Sequence, residues 1–236
     1  MYLDRIQQIY KALTKTTLPG RSAQLIMAPR YPWQEQAENI DITELTAAGV
    51  MVLLYPKNNV PHIAFTVRAE NIGTHSGEVS LPGGKTESED QKLADTALRE
   101  TSEELGINPQ DITIIGALTP VPTLVSHFFV HPFVGAMKTT PTFTPNTNEV
   151  AQVLEIPLDV LQKTTVEHMS VSLSINGEAQ EMIAPYFEFE GNKIWGITAM
   201  IVNEFLATTR ANQEDVENST MEKLHSDDRT YHMVQV

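Results

Sequence analysis

"GKTESEDQKLADTALRETSEELGI", residues Gly84 to Ile107, carries more acid than a surface helix needs. Ser88 with Gln91 three positions on has the form of a capping box, and Glu87, Glu89 and Asp90 put negative charge at the positive end of a helix dipole. A helix is predicted to begin there. Leu93, Ala94, Ala97, Leu98, Thr101 and Leu105 fall on one side at helical spacing, the side that packs on a sheet, and Gly106 supplies the stop. Glu100 and Glu104 form an i,i+4 pair with Glu103 beside them. Like charges at this spacing cost a helix about 0.2–0.5 kcal/mol per pair unless a cation compensates. Arg99 is one candidate; Mg²⁺ or Mn²⁺ is another, because hard cations take carboxylate oxygens together with substrate phosphate. Read alone, the same acids also describe a solvated helix face.

Just upstream, "SLPGGKT" sets Pro82 before Gly83-Gly84. This permits a tight turn and a close approach of backbone to a ligand before the helix starts. The runs Gly49 to Tyr55 and His62 to Val67 read as paired strands across the turn "PKNNVP". "ITIIGAL", "HFFVHPFVGAM", "VAQVLEI", "VSLSI" and "APYFEFE" add strand candidates, with turns at Asn176-Gly177 and Gly191-Asn192. Before them, Leu3, Ile6, Ile9, Tyr10 and Leu13 predict an amphipathic helix over about residues 2–15, followed by a Pro-rich connector. After them, "GITAMIVNEFLATT" predicts a packing helix, and the remaining polar segment a loose tail or a marginal helix. His127 and His131 have i,i+4 spacing, but their setting is β-like, so they are not a helical metal pair.

A chain of 236 residues with 41% hydrophobic content can bury a sizeable core. The N-terminus mixes acid, base and Gln, and no run of apolar residues is long enough to span a bilayer. The expectation is a cytoplasmic protein with no membrane partner. With Cys 0, thiol catalysis, disulfides and Cys-ligated zinc are excluded, leaving oxygen and nitrogen chemistry. A net charge of −14 argues against nucleic acid as partner. It still allows a phosphorylated small molecule if divalent cations bridge the two.

Together, the Gly-Gly turn, the acidic helix and Arg99, Glu100, Glu103, Glu104 and Gly106 resemble the Nudix box of the Nudix hydrolases. Here the stretch from Gly84 to Arg99 is one residue longer than the usual box, and the mid-box acid falls on Asp90 or Gln91. Upstream, Thr66, Arg68, Ala69, Gly77, Pro82, Gly83 and Gly84 are similar to the added signature of the coenzyme A pyrophosphatase branch, with His75 at a position where that branch often has His. Gly73 and Leu81 stand where the branch has a basic residue and Phe. The resemblance runs from about Thr46 to Thr208.

It implies an α/β Nudix fold, an α/β/α sandwich with a mixed β-sheet, for residues 46–208. Residues 1–45 are expected to form an N-terminal helical extension and residues 209–236 a polar C-terminal tail. The implied activity is metal-dependent hydrolysis of the diphosphate in a small nucleotide substrate: coenzyme A or an acyl-CoA, giving 3′,5′-ADP and 4′-phosphopantetheine. A Nudix pyrophosphatase for ADP-ribose, a dinucleotide or a nucleoside triphosphate is the alternative, and a non-catalytic Nudix-like binding module the second. Glu100, Glu103 and Glu104 are the expected ligands of Mg²⁺ or Mn²⁺. Glu103 is the expected base, with Glu149 as an alternative from outside the box that also reads as a structural residue, and Arg99 is expected to orient a glutamate. Arg68, His75, Gly83, Gly84 and Lys85 are the expected substrate contacts, though Arg68 also reads as a surface ion pair and Lys85 as an exposed lysine. Homodimerisation is expected from the family.

Overall fold

A computed structural model describes residues 1–14, 17–30, 41–69, 77–123, 126–175 and 178–210. Strand β1 (Thr46–Lys57) is its spine. It turns back into β2 (Val60–Arg68) through Asn58 and Asn59, both at positive φ (52° and 63°), a conformation that Asn tolerates better than other side chains. β1 also pairs in parallel with β7 (Phe128–Met137), and every other pairing in the sheet is antiparallel. β3 (Val79–Ser80) and β8 (Val150–Pro157) join β2; β4 (Gly83–Lys85) joins β1; β5 (Ile112–Ala117) and β6 (Val121–Pro122) join β7. The sheet is therefore mixed. A second sheet of three strands holds β9 (Glu167–Ile175), β10 (Glu178–Phe189) and β11 (Asn192–Trp195).

Alternation along β1 divides the core. Val52 and Leu54 point into one apolar cluster with Ile9 and Leu13 of helix α1 (Tyr2–Leu13) and with Ile201, Val202 and Phe205 of the last helix, α5 (residues 196–210). Met51, Leu53 and Tyr55 point into the other, against Ala97 and Leu105 of helix α3 (Leu93–Leu105). A strand buried on both faces reads as a continuous apolar run, as β1 does. Helices cover both faces of the sheet, so the layers are α/β/α as expected.

The N-terminal helix ends at Leu13, slightly earlier than its periodicity suggested. The connector after it contains a short helix, α2 (Arg21–Ile26), and another short helix, α4 (Leu158–Lys163), follows β8. The turn at Asn176-Gly177 and the tail beyond residue 210 lie outside the described residues. No helix among the described residues is long and apolar enough to cross a membrane.

Candidate active site

α3 begins at Leu93, five residues after the predicted capping box. The reason lies in Asp90. Its Oδ2 accepts from the Glu87 N–H at 3.0 Å and from Thr96 Oγ1 at 2.9 Å, and its own N–H donates to Glu87 O at 3.2 Å. Residues 87–90 are thus closed into a turn, and the helix is started instead by the Lys92 N–H donating to Asp95 Oδ2 at 3.0 Å. Ser88 Oγ donates to Glu89 Oε2.

That same turn aims Asp90 at Arg99. The guanidinium donates through Nε to Asp90 Oδ1 and through Nη2 to Oδ2, each at 3.1 Å, a bidentate fork. The Asp90 side chain is only 4% exposed, and its bond to Arg99 is the main cause that holds its pKa down at about 2. The same bond raises the Arg99 pKa. Of the two mid-box candidates, Asp90 is the one that meets Arg99. Arg99 spends its remaining N–H groups on Lys85 O (3.0 Å), Glu100 Oε1 (3.0 Å) and Glu103 Oε2 (3.2 Å). It touches the loop, the helix and two of the three glutamates at once.

The three glutamates sit in different surroundings. Glu100 is mostly buried, with its carboxylate against Gly84; a Cβ at Gly84 would overlap the carboxylate carbon and oxygen, so this approach requires glycine. Burial is the main reason its pKa is raised, opposed by Arg99. Glu103 is 54% exposed and leans on Arg99. Glu104 is buried, and burial pushes its pKa up to about 8, with Glu100 and Glu149 adding to the rise while Arg68 and the Gly83 N–H oppose it. Its Oε2 finds no hydrogen-bond partner among the described residues, and neither does the buried Nε of Arg68. Buried polar atoms without partners are uncommon and mark places where an ion, water or ligand belongs.

Arg68 ends β2 and lies beside Val150 in the β2–β8 register, while the Ala69 N–H donates to Glu149 O at 2.9 Å. The fold thus brings Arg68 and the exposed Glu149 from two strand ends close enough to Glu104 for both to act on it electrostatically. Gly83 and Gly84 lie in β4, paired to β1 at Val50 and Gly49. The Lys85 side chain is exposed and its carbonyl serves Arg99. His75 lies outside the described residues. His127 has positive φ (54°) before β7, and His131 stacks edge-on against Phe129 with its pKa lowered by burial. Sequence reasoning missed Asn146, whose contacts reach both Glu104 and Glu149.

Does this donor set fit a divalent ion? The oxygens are of the right kind, hard carboxylates, and Glu104 Oε2 is buried and has no donor among the described residues. Among the described residues, however, no three His, Asp or Glu side chains are gathered closely enough to hold an ion, and Glu100 and Glu103 both bond to Arg99. The chemistry of the donors fits; the spacing seen among the described residues is not that of a closed ion site.

The NUDIX domain family matches residues 45–173. A protein of Pectobacterium atrosepticum described as "Uncharacterized Nudix hydrolase NudL" is 32% identical over 158 residues, 67% of this chain and 79% of its own. One of the same description from Yersinia pestis is 36% identical over 142 residues, 60% of this chain and 69% of its own. Among solved structures, a MutT/nudix family protein from Enterococcus faecalis aligns with a TM-score of 0.44 at 16% identity, over 73% of this chain and 64% of that one. With the family matched across the box, the strands that flank it and the loop bearing Glu149, the chain belongs to the Nudix hydrolase family.

Proposed function

We propose that the protein hydrolyses the diphosphate of coenzyme A or an acyl-CoA, releasing 3′,5′-ADP and 4′-phosphopantetheine, with Mg²⁺ or Mn²⁺ as cofactor. One observation carries this reading. The buried Arg68 Nε and the buried Glu104 Oε2, both without partners among the described residues, are coupled electrostatically at one side of α3. A phosphate oxygen would satisfy the first and a divalent cation the second. Arg68 belongs with Thr66, Ala69 and Gly77 to the sequence signature that resembles the coenzyme A branch, and this supports that substrate over other diphosphates.

In this reading Glu100, Glu103 and Glu104 would hold the ion. When bound, it supplies positive charge against the diphosphate oxygens and acidifies a water. Asp90 locks Arg99 by its bidentate contact, and Arg99 in turn fixes the Glu100 carboxylate and the Lys85 carbonyl. Gly83 lets β4 close on Gly49 and Val50 of β1, Gly84 gives the Glu100 carboxylate its seat, and in this reading their backbone would contact substrate. Glu149 serves as the base: it lies within electrostatic reach of both Glu100 and Glu104, and Glu103 is taken up as a ligand of the ion in this reading. The water oxygen bonds to phosphorus as the bridging P–O bond breaks, and the proton of the water passes to Glu149.

The test is a product assay with coenzyme A, acetyl-CoA, NADH, ADP-ribose and a nucleoside triphosphate side by side, with Mg²⁺ and Mn²⁺ compared. Preferential release of 3′,5′-ADP from the first two is the expected result. Faster turnover of ADP-ribose, NADH or the triphosphate would move the protein to another Nudix specificity. Absence of turnover on the whole panel with either metal would make it a binding module.

A further inference from the structure

The last carbonyls of α3 are taken by a loop from a distant part of the chain. The Thr144 N–H donates to Leu105 O at 3.0 Å, the Asn146 N–H to Glu104 O at 3.1 Å, and Thr144 Oγ1 to Gly106 O at 3.0 Å. Gly106 makes this docking possible: it has φ 65°, and a Cβ there would overlap Thr144. The helix end that carries Glu104 and the loop that carries Glu149 therefore share backbone hydrogen bonds.

Asn146 is the joint. Its N–H is on Glu104 O, while its own carbonyl accepts from the Glu149 N–H at 2.9 Å and the Val150 N–H at 2.8 Å. Its side-chain Oδ1 accepts from the Asn148 N–H at 3.2 Å and closes the local turn. Its Nδ2 donates to Glu149 Oε1 at 3.1 Å. One residue thus runs from the backbone of Glu104 to the carboxylate of Glu149. On the far side, Glu149 O is pinned by the Ala69 N–H beside Arg68. The Glu149 backbone is thus held at both its N–H and its carbonyl, and its exposed carboxylate takes a side-chain bond from Asn146.

We propose that Asn146 is a positioning residue for the hydrolysis, setting the Glu149 carboxylate by occupying Oε1 so that Oε2 receives the proton of the attacking water. This rests on the diphosphatase reading, with Glu149 as base. The side chain has two separable duties. The Oδ1 acceptor builds the turn, whereas the Nδ2 donor orients the base. Serine retains a short neutral acceptor for the Asn148 N–H but cannot reach Glu149, so Asn146→Ser removes the second duty and spares the first.

The experiment is a double-mutant cycle of Asn146→Ser with Glu149→Gln, measured as kcat and KM on the best substrate of the panel, with thermal melting of all four proteins. Loss of orientation at one catalytic group predicts a fall in kcat of about tenfold with KM within about twofold of wild type. In the Glu149→Gln background the serine substitution should cost nothing further, because the group it orients is already disabled. A kcat for Asn146→Ser equal to wild type overturns the inference alone. So does a second tenfold loss on top of Glu149→Gln, or a fall in activity explained wholly by less folded protein. A wild-type protein that turns over nothing on the panel overturns the diphosphatase reading, and this inference with it.

Discussion

Burial pushes the Glu104 carboxyl from its ordinary 4.5 up to about 8, and the charges of Glu100 and Glu149 add to the rise. Its folded pKa therefore exceeds its unfolded one, so the stabilising contribution is complete below about 4.5 and is lost as pH rises through about 8. In chelator, the protein is predicted to lose stability between about pH 5 and pH 9, by on the order of a few kcal/mol. Manganese should restore more at the alkaline end than at the acid end. Glu104→Gln should flatten the pH slope, leave folding intact and lower kcat by roughly a hundredfold or more. Melting curves in chelator across that range decide it: equal slopes for wild type and variant would refute the account. Asp90 works in the opposite sense, because its carboxylate is held ionised by Arg99. Asp90→Asn loosens the fork on Arg99 and is predicted to cut kcat by roughly tenfold or more at little change in KM, read in the same kinetic assay. At this scale the sequence was partly legible. Arg99, Glu100, Glu103 and Glu104 are singled out only together with the Gly83-Gly84 turn upstream, since the acids by themselves also suit a solvated helix face. Asp90 could not be told from Gln91, since the choice depends on how residues 87–90 turn.

Elements built on periodicity were the easiest to read, and elements defined by their ends the hardest. β1 and β2 show their strands and the Asn58-Asn59 turn in the sequence, because burial on both faces and positive φ each select residue types. The start of α3 was misplaced because Ser88, Glu89 and Asp90 satisfy a local capping rule, whereas Asp90 is committed to Arg99, nine residues on. The loop ending at Glu149 gave no local signal of its docking, which depends on carbonyls at the far end of α3. β4 offers the clearest test of element against element. Adding one methyl group at Gly84 forces either the strand off β1 or the Glu100 carboxylate off its seat. Because the carboxylate is the more mobile of the two, Gly84→Ala is predicted to fold, with a stability loss of about 1–3 kcal/mol, while kcat falls by at least roughly tenfold. Unchanged kcat in a folded Gly84→Ala protein would show that the position of Glu100 against β4 is irrelevant to the reaction.

Across the whole molecule, the face of the sheet opposite α3 is assembled from both ends of the chain. The amphipathic pattern of α1 announces one buried face but not its partner; Tyr2 sends its hydroxyl to Leu54 O and Met137 O, and Ile9 and Leu13 share a core cluster with α5. The polar seam that joins these parts is Glu204, a fully buried acid on α5. Its carboxylate accepts from Gln24 Nε2 of α2 at 2.7 Å, from Thr119 Oγ1 at 2.6 Å and from the Thr119 N–H at 3.1 and 3.2 Å. Asn203 Nδ2 adds a bond to Ala23 O at 2.7 Å. A charge with every donor aimed at it is tolerated in a core, but removing it strands those donors. Glu204→Gln keeps the shape and turns an amide toward groups that already donate, so a loss of about 2–4 kcal/mol is expected. In a chain of this size that lowers the melting temperature by roughly 5–15 °C. A lower urea midpoint with an unchanged m-value would show lost stability without a change in surface exposed on unfolding. Because Glu204 bonds to no described residue of the candidate site, kcat per folded molecule should equal that of wild type. If the midpoint stays put, the seam between the N-terminal segment and α5 is held by apolar contact alone; if kcat falls with the midpoint unmoved, Glu204 acts on the site by a route that the hydrogen bonds described above do not include.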